Sequence, residues 1–374
     1  MKPIVKENSM VSPYLLFFLM HSTQTGVGVL KFQSQIIKGA GQNAWMSILV
    51  FGLSLHLIFF MMLYILKQSD TENILSLHKE VFGKYFGSLL NLLLAGYFLL
   101  ASLFALHTYI DILQIWVFNG IASWEYSLLF CILIFYIVSG GFRVVTSIAF
   151  WGVVIPSFLL LSLLYLLAYA ELSYLTPLFK YGLKEHLISI KEAVPVFLGF
   201  ETVLVYYPFI KDKRKSTKWG HIALLYTTLL YTFITVVTFM FFTLGKLAHL
   251  TWPTLTMIKI IQFPFLERFE FIFIFTWLLV VLPVNCVYLW SATRAIKWTI
   301  PKLRPTFILA VILGGFFYVN TQFIDIEFSY FMAKVVGNSG MVFLFGYIPL
   351  LFLLSVVRSK LKNRWGKKSH QSVK

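Results

Sequence analysis

The sequence predicts an all-α integral membrane protein with ten transmembrane helices. Of its 374 residues, 59% are hydrophobic and only 12% are charged. The core of a water-soluble protein cannot accommodate such a composition. Ten segments are apolar over the roughly 20 residues that a helix needs to cross the hydrocarbon core of a bilayer. The predicted spans are 12–33, 42–66, 86–118, 123–141, 144–170, 187–209, 219–245, 269–297, 304–324 and 337–358.

The distribution of basic residues orients these spans. The chain has 31 Lys and Arg against 15 Asp and Glu, a formal net charge of +16. An even number of spans puts both termini on one side, and cytoplasmic termini assign 22 cations to the cytoplasm and nine to the outside. This asymmetry favours the N-in, C-in orientation. The charge is therefore interpreted as a topology signal and not as a nucleic-acid site.

Two segments are predicted to lie on the cytoplasmic side. The basic cluster Lys211 to Lys215 is interpreted as a topology signal of the same kind, with an anionic-lipid or partner site as the alternative. The ten-helix bundle is predicted to occupy 1–358, and 359–374 form a basic cytoplasmic tail.

The first span contains a signal for a broken helix. Ser12 and Pro13 suit its beginning as N-cap and first helical residue. Its sequence HSTQTGVGVLKFQ places Gly26 and Gly28 near the middle of the membrane. Glycine lets the backbone leave the helix, and unpaired backbone groups at that depth are tolerated only where they line a cavity or meet a ligand. The alternative is close packing of helices against the glycines.

The third span presents a polar and aromatic stripe. Helical spacing places Tyr97, Phe104, Thr108 and Asp111 near one line along the helix, which is predicted to face a pocket. His107 precedes Asp111 by one turn, so the two side chains are expected to pair. The pair is either a proton relay or a structural contact near the outer interface.

The sixth span contains a second signal, in the sequence EAVPVFLGFETVLVYYPF. Pro195 removes a backbone donor, Gly199 loosens the helix, and Glu201 places a carboxylate in an apolar run. Spans one and six occupy corresponding places in two halves of five, and a unit of five spans that begins inside ends outside, so the second half is inverted. Interrupted helices at matching places of inverted halves mark a binding site near the midplane.

Several kinds of chemistry are not expected. Cys131 and Cys286 lie in apolar runs, which excludes a disulfide framework. His21 and His56 have no second His or Cys at the spacing of a metal site, so no metal and no cofactor are predicted. No motif combines a nucleophile, a base and oxyanion donors, so the chain is not expected to be an enzyme.

Two motifs carry a resemblance to a known family. The stretch from Ser22 to Leu30, STQTGVGVL, resembles the first-span signature of the endospore germination permeases, the B subunits of nutrient germinant receptors. These belong to the amino acid–polyamine–organocation superfamily. The stretch from Phe197 to Glu201, FLGFE, followed by Pro208, is similar to the sixth-span motif of that family. Gln33 departs from the pattern, since relatives commonly have proline there.

The resemblance implies a leucine-transporter-like fold with spans one and six broken, and a location in the spore inner membrane. It also implies assembly with an A subunit and a lipoprotein C subunit, and a pocket for a small nutrient such as an amino acid or sugar that triggers germination. The pocket is predicted where opened backbone and the inward stripe converge. The expected lining is Thr25, Gly26, Val27, Gly28, Val29, Tyr97, Thr108, Phe197, Gly199, Phe200 and Glu201.

The rival function is a proton- or sodium-coupled amino acid permease of the same superfamily. Sodium coupling there typically uses hydroxyl groups on the eighth span, whose middle here is WLLVVLPVNCVY without Ser or Thr. Some proton-coupled relatives use a lysine in the fifth span, and this fifth span has none. We therefore expect a protein that senses its ligand without concentrating it. Within the eighth span, Pro283, Asn285 and Tyr288 either reach the same cavity or mark a simple kink.

Overall fold

The computed structural model describes residues 5–118, 120–262, 267–323 and 326–371, with the side chains of 326 and 362–371 outside that description. Within these residues the chain is helical apart from turns and one isolated parallel bridge, between Val11 and Ile210. The helices of the first half are α1 (Leu15–Gln24), α2 (Gln33–Ala40), α3 (Ala44–Lys67), α4 (Ile74–Trp116), α5 (Ser123–Ser139) and α6 (Phe142–Leu160). Those of the second half are α7 (Leu183–Phe197), α8 (Val203–Tyr206), α9 (Lys213–Phe241), α10 (Leu244–Ala248), α11 (Pro253–Ile258), α12 (Phe269–Thr299), α13 (Pro305–Gln322), α14 (Ile326–Met341) and α15 (Ile348–Gln371).

Seven helical stretches of the described residues are long and apolar enough to cross a membrane. They are Gln33–Lys67, Ile74–Trp116, Phe142–Tyr169, Lys213–Phe241, Phe269–Thr299, Pro305–Gln322 and Glu327–Leu361. The apolar helix α5 is shorter, at 17 residues. The predicted first and sixth spans are not among the seven, because α1 has only 10 residues and α7 only 15.

Several boundaries differ from the sequence-based prediction; the tenth span, expected to begin at 337, belongs to a helical stretch that begins at Glu327. The third span was expected to begin at 86, but α4 begins at Ile74, where the side chain of Asn73 accepts a hydrogen bond from the amide of Leu75. Gly83, with φ 80°, kinks this helix where the expected span begins. The last helix, α15, runs through residue 359 to Gln371, so the described part of the predicted tail continues a helix.

Several cations that the charge asymmetry assigns to the cytoplasm lie at one end of the bundle. At one end, Lys211 donates its amide to the carbonyl of Val11, and the Lys79 ammonium donates to the carbonyl of Trp298. At this end Asp212 caps α9, and hydrogen bonds from Lys215 lower the pKa of the Asp212 carboxyl. At the other end, Ser34 donates to the carbonyl of Leu250. The first end holds residues that the charge asymmetry assigns to the cytoplasm.

The core lies between helices of the two halves. α4 packs along α12, α3 along α9, α5 along α13, and α2 along α7. α1 lies between α6, α9 and α12. The ends of α1 and α7 therefore meet in the centre of the bundle.

Candidate functional site

The chain leaves α-helical geometry after Gln24. Thr25 and Gly26 are non-helical, a 3₁₀ turn spans Val27–Leu30, and α2 begins at Gln33. The first three N–H groups of a 3₁₀ turn have no acceptor within it. Within the turn, the amides of Val27 and Gly28 therefore have no helical acceptor at this depth.

A second interruption follows α7. Leu198 is extended, Gly199 has φ 125°, and a 3₁₀ turn spans Phe200–Thr202 before α8. The φ of Gly199 is one that L-amino acids rarely adopt. Glycine is thus required at this position by its own backbone conformation.

The two interruptions are in contact with each other. A Cβ atom at Gly199 would lie 2.3 Å from the carbonyl oxygen of Thr23, so only glycine permits this approach. The Gln24 side-chain amide donates to the carbonyl of Phe197 at 2.9 Å. The end of α1 is therefore bonded directly to the end of α7.

Hydroxyl groups satisfy most of the carbonyls exposed at the interruptions. The Tyr231 hydroxyl on α9 lies 2.7 Å from the carbonyl oxygen of Gln24 and 3.1 Å from that of Val196. Thr202 donates to the carbonyl of Gly199 at 2.6 Å. Because a buried unpaired carbonyl is costly, these bonds stabilise both interruptions in their observed form.

Glu201 joins three elements at the second interruption. Its Oε2 accepts the amide N–H of Gly199 at 2.7 Å, and its Oε1 accepts the hydroxyl of Tyr97 on α4 at 2.7 Å. The hydroxyl of Tyr288 on α12 lies 3.3 Å from Oε1. The fully buried carboxylate thus caps a freed amide and bridges to α4 and α12.

The predicted pocket residues are only partly brought together. Tyr97 reaches the interruption through Glu201, whereas Thr108 lies three turns further along α4, roughly 16 Å away by helical rise. Most of the predicted residues are buried, but Gly26 and Gly28 are partly accessible between the buried Val27 and Val29. The accessible surface near the site therefore lies beside these two glycines.

Three residues at the site were not singled out from the sequence. Gln24 and Tyr231 hold the interruptions together, and the Oε1 atom of Gln24 is buried with no hydrogen-bond partner among the described residues. Lys31, assigned to the outer side by charge, places its ammonium 5.2 Å from the ring centroids of both Phe104 and Trp252. The sequence could have singled out Gln24, because its amide side chain stands beside the glycine pair Gly26 and Gly28. Nothing in the sequence distinguishes Tyr231 from Tyr226, the other tyrosine of its span.

Histidines elsewhere in the bundle make specific contacts. His56, treated as isolated in the sequence, is not, because α3 packs on α9 and its Nδ1 lies 2.9 Å from Nδ1 of His221. His107 bonds Asn320 through Nδ1 at 2.9 Å, and its Nε2 lies 3.9 Å from the carboxylate of Asp111. Asp111 also accepts a hydrogen bond from Ser329. These contacts fit a structural pairing near the end of α4.

Comparison with known sequences identifies related proteins. Residues 10–328 match a protein family described as spore germination protein. Spore germination protein GerQB of Bacillus cereus is 39% identical over 356 residues, which cover 94% of this chain and 97% of the relative. Spore germination protein B2 of Bacillus subtilis (strain 168) is 23% identical over 264 residues, covering 69% and 71% of the two chains.

Solved structures of similar fold are membrane transporters. A manganese transporter of Eremococcus coleocola superimposes with a TM-score of 0.61 and 14% identity, covering 91% of this chain and 78% of that one. Mhp1, a nucleobase-cation-symport-1 family transporter, gives a TM-score of 0.58 and 11% identity, covering 95% and 80%. At these identities the likeness concerns the fold alone.

Proposed function

Because the chain belongs to the spore germination protein family, we propose that it is the B-type membrane subunit of a nutrient germinant receptor. In this role it binds a small nutrient at the meeting point of the two helix interruptions, and occupancy of that site triggers germination. The contact between α1 and α7 carries the proposal. Two interruptions that touch at the centre of a helical bundle are the arrangement expected of a midplane ligand site.

The proposed architecture is ten spans in two inverted halves of five, with the first and sixth spans broken. Helices that occupy corresponding places in the two halves pack directly on each other: α3 with α9, α4 with α12, and α5 with α13. This packing is what a pseudo-two-fold axis between the halves produces. The excess of cations that the sequence assigns to one side, 22 against nine, supports cytoplasmic termini.

The ligand is proposed to be an amino acid or a sugar. The amides of Val27 and Gly28 and the ammonium of Lys31 can donate to a carboxylate or hydroxyl oxygen. The unpartnered Oε1 of Gln24 offers an acceptor to an ammonium or hydroxyl group. A buried acceptor without a partner calls for a water or a ligand donor. The proposed lining is Thr25 to Val29, Tyr97, and Phe197 to Glu201, with Thr108 of the expected set lying three turns beyond Tyr97 on α4.

The experiment is a thermal-shift screen of the purified protein against amino acids, sugars and nucleosides, repeated on a variant that fills the site. Gly26→Val suits this purpose, because Gly26 has φ −106° and a Cβ there would lie 3.8 Å from Val284, an ordinary contact. Gly96→Val is the matched control, since a Cβ at Gly96 has nothing within 4 Å.

We expect one nutrient to raise the Tm of the wild type and of Gly96→Val but not that of Gly26→Val, whose own Tm stays close to wild type. Spores carrying Gly26→Val should then fail to respond to that nutrient. An undiminished ligand shift in Gly26→Val would place the ligand elsewhere.

The chain is also proposed to reside in the spore inner membrane and to assemble with an A subunit and a lipoprotein C subunit. The relatives include proteins named spore germination protein A2 and B2, both of Bacillus subtilis (strain 168). Co-purification of all three subunits with a tagged copy of this chain from spore membranes is the expected result.

A further inference from the structure

Two grooves on the surface of the bundle form one continuous cleft at the end that carries the N-terminal segment. The first groove, of about 390 Å³, is lined by Arg143, Lys211 and Ser147 together with the beginnings of α1 and α6. The second, of about 530 Å³, is lined by aromatic and apolar side chains of α1, α6 and α9. Tyr14 and Phe150 line both grooves, so the basic part continues into the apolar part.

Along the cleft, the lining changes from basic to apolar over a distance similar to the thickness of the polar layer of a membrane leaflet. Arg143 and Phe150 are seven residues apart on α6, which places them on one face about two turns, roughly 10 Å, from each other. The polar layer of a leaflet is roughly 5–8 Å thick. A guanidinium at headgroup depth therefore leaves Phe150 among acyl chains. Lys215 and Ile222 repeat this spacing on α9.

The cationic side chains that line the cleft can still donate hydrogen bonds to an anion. The Arg143 guanidinium donates to the carbonyls of Met10 and Glu7, both neutral acceptors, and no ion pair described among the resolved side chains includes it. With five N–H donors, it keeps several for a phosphate. Lys211 pairs with the carboxylate of Glu7 at 3.1 Å, but Glu7 is 85% exposed, so that pair contributes little.

We propose that this cleft binds one anionic phospholipid of the leaflet at that end, with its phosphate on Arg143 and Lys211. An acyl chain lies along α1 against Phe17 and Phe18 and between α6 and α9. The lining favours a lipid over a protein partner, because a basic groove of about 390 Å³ continues into an apolar groove of about 530 Å³. A protein interface needs a broad surface, about 800 Å² per partner. The lipid covers α1 between the N-terminal segment and the first interruption.

Native mass spectrometry of the purified full chain tests the proposal, with phosphatidylglycerol and phosphatidylcholine of identical acyl chains as probes. We expect one phosphatidylglycerol to be retained, with a preference of about fivefold or more over phosphatidylcholine, since each nearby cation favours an anionic headgroup. Equal retention of the two lipids would overturn the proposal. So would complete displacement of the lipid by glycerol phosphate, which has the headgroup charge without the chains, or a co-purified polypeptide seated in the cleft in place of lipid.

The matched variants are Ser147→Asp and Ser147→Asn. Ser147 is exposed in the cleft, and its hydroxyl bonds only the carbonyl of Arg143 in its own helix, so both variants should fold. A carboxylate one turn after Arg143 pairs with the guanidinium and repels a phosphate. Ser147→Asp should therefore lose the preference for phosphatidylglycerol, while Ser147→Asn keeps it. Equal retention of phosphatidylglycerol by both variants would contradict the assigned site.

Discussion

Glu201 shows how a carboxylate is retained inside an apolar bundle. A charged group at the centre of a membrane helix costs about 2.5–3.5 kcal/mol on insertion scales. Here the side chain accepts the amide of Gly199 and the hydroxyl of Tyr97, with Tyr288 close to the same oxygen. Its two oxygens are thus already used within the protein. The capping and bridging roles account for these contacts, and a ligand cation is not needed to explain them.

Glu201→Gln tests this role of the carboxylate. The amide group has only one acceptor oxygen, so either the N–H of Gly199 or the hydroxyl proton of Tyr97 loses its acceptor. We expect a loss of stability of about 1–3 kcal/mol, as for an unsatisfied buried donor, with a smaller change in the nutrient concentration for half response. Thermal unfolding and a germination dose curve measure the two effects. Unchanged stability with a tenfold or greater rise in that concentration, about 1.4 kcal/mol of binding, would favour pairing with the ligand.

The hydroxyl donors to Glu201 provide a graded control. Tyr97→Phe removes a bond of 2.7 Å, and Tyr288→Phe removes a contact of 3.3 Å to the same oxygen. The first substitution should therefore lower the Tm more than the second.

Gly199→Ala and Gly26→Ala make the same chemical change at the two interruptions, and we expect opposite outcomes. At Gly199 the new Cβ meets the carbonyl of Thr23 in a backbone conformation with φ 125°, whereas at Gly26 the nearest atom is 3.8 Å away. Strain of the backbone alone costs roughly 1–3 kcal/mol. Gly199→Ala should lower the Tm and abolish the nutrient response, and Gly26→Ala should keep a Tm near that of the wild type. Equal melting temperatures for the two variants would show that the close approach to Thr23 is absent.

At the residue scale, the sequence identified the positions whose chemistry is unusual for a membrane span. Gly26, Gly199 and Glu201 interrupt apolar runs and are visible without a structure. Tyr231 was missed because its role depends on carbonyls of Gln24 and Val196, which are distant in sequence. Which of many tyrosines makes such a bond is decided by tertiary packing.

At the scale of helices, α9 connects the ends of α1 and α7. Tyr231 contacts the carbonyls at the ends of both helices, and Gln24 bonds α1 to α7 directly. Residues that share partners in one network do not contribute additively to stability. The three helices are therefore expected to lose order together when this network is cut.

A double-mutant cycle with Tyr231→Phe and Gln24→Met measures this coupling. Tyr231→Phe removes the one hydroxyl proton that the carbonyls of Gln24 and Val196 share and should cost about 1–3 kcal/mol. The coupling between the two substitutions should be about 0.5–3 kcal/mol. Tyr226→Phe on the same helix is the control, because its ring is 37% exposed and no hydrogen bond of its hydroxyl is described; it should leave the Tm unchanged. Additive effects of Tyr231→Phe and Gln24→Met would show that the two contacts act independently.

The helices could be predicted from the sequence where hydrophobicity alone determines their length. Long apolar runs gave α3 and α12 within two residues and α9 within six, because a helix must be long enough to cross the hydrocarbon core. The start of α4 was missed, since the cap at Asn73 and the kink at Gly83 extend the helix beyond its apolar run. Caps and kinks are set by local backbone contacts that hydropathy does not report.

At the scale of the whole molecule, the middle of α12 carries the amide Asn285 in the stretch WLLVVLPVNCVY, which has no Ser or Thr. Asn285 of α12 accepts the hydroxyl of Ser102 on α4 and donates to the carbonyl of Val281. The polar groups there bond each other across the two helices. The proposal that the protein senses its ligand, and does not transport it against a gradient, does not require an ion site here.

Proteoliposomes test that distinction. With a proton or sodium gradient imposed, we expect labelled nutrient to equilibrate or stay outside and not to accumulate above its external concentration. A transporter of known coupling in parallel vesicles shows that the gradient persists. Uphill accumulation by this chain would identify it as a coupled permease.

Hydrogen–deuterium exchange of the purified protein, with and without the nutrient found in the thermal-shift screen, tests the central claim most directly. If the ligand binds where α1 and α7 are interrupted, the amides of Val27 to Val29 and of Leu198 to Thr202 should exchange more slowly in its presence. The amides of Arg143 to Trp151, in the basic groove, should exchange at the same rate. Binding of the nutrient with no change at either interruption would contradict the account.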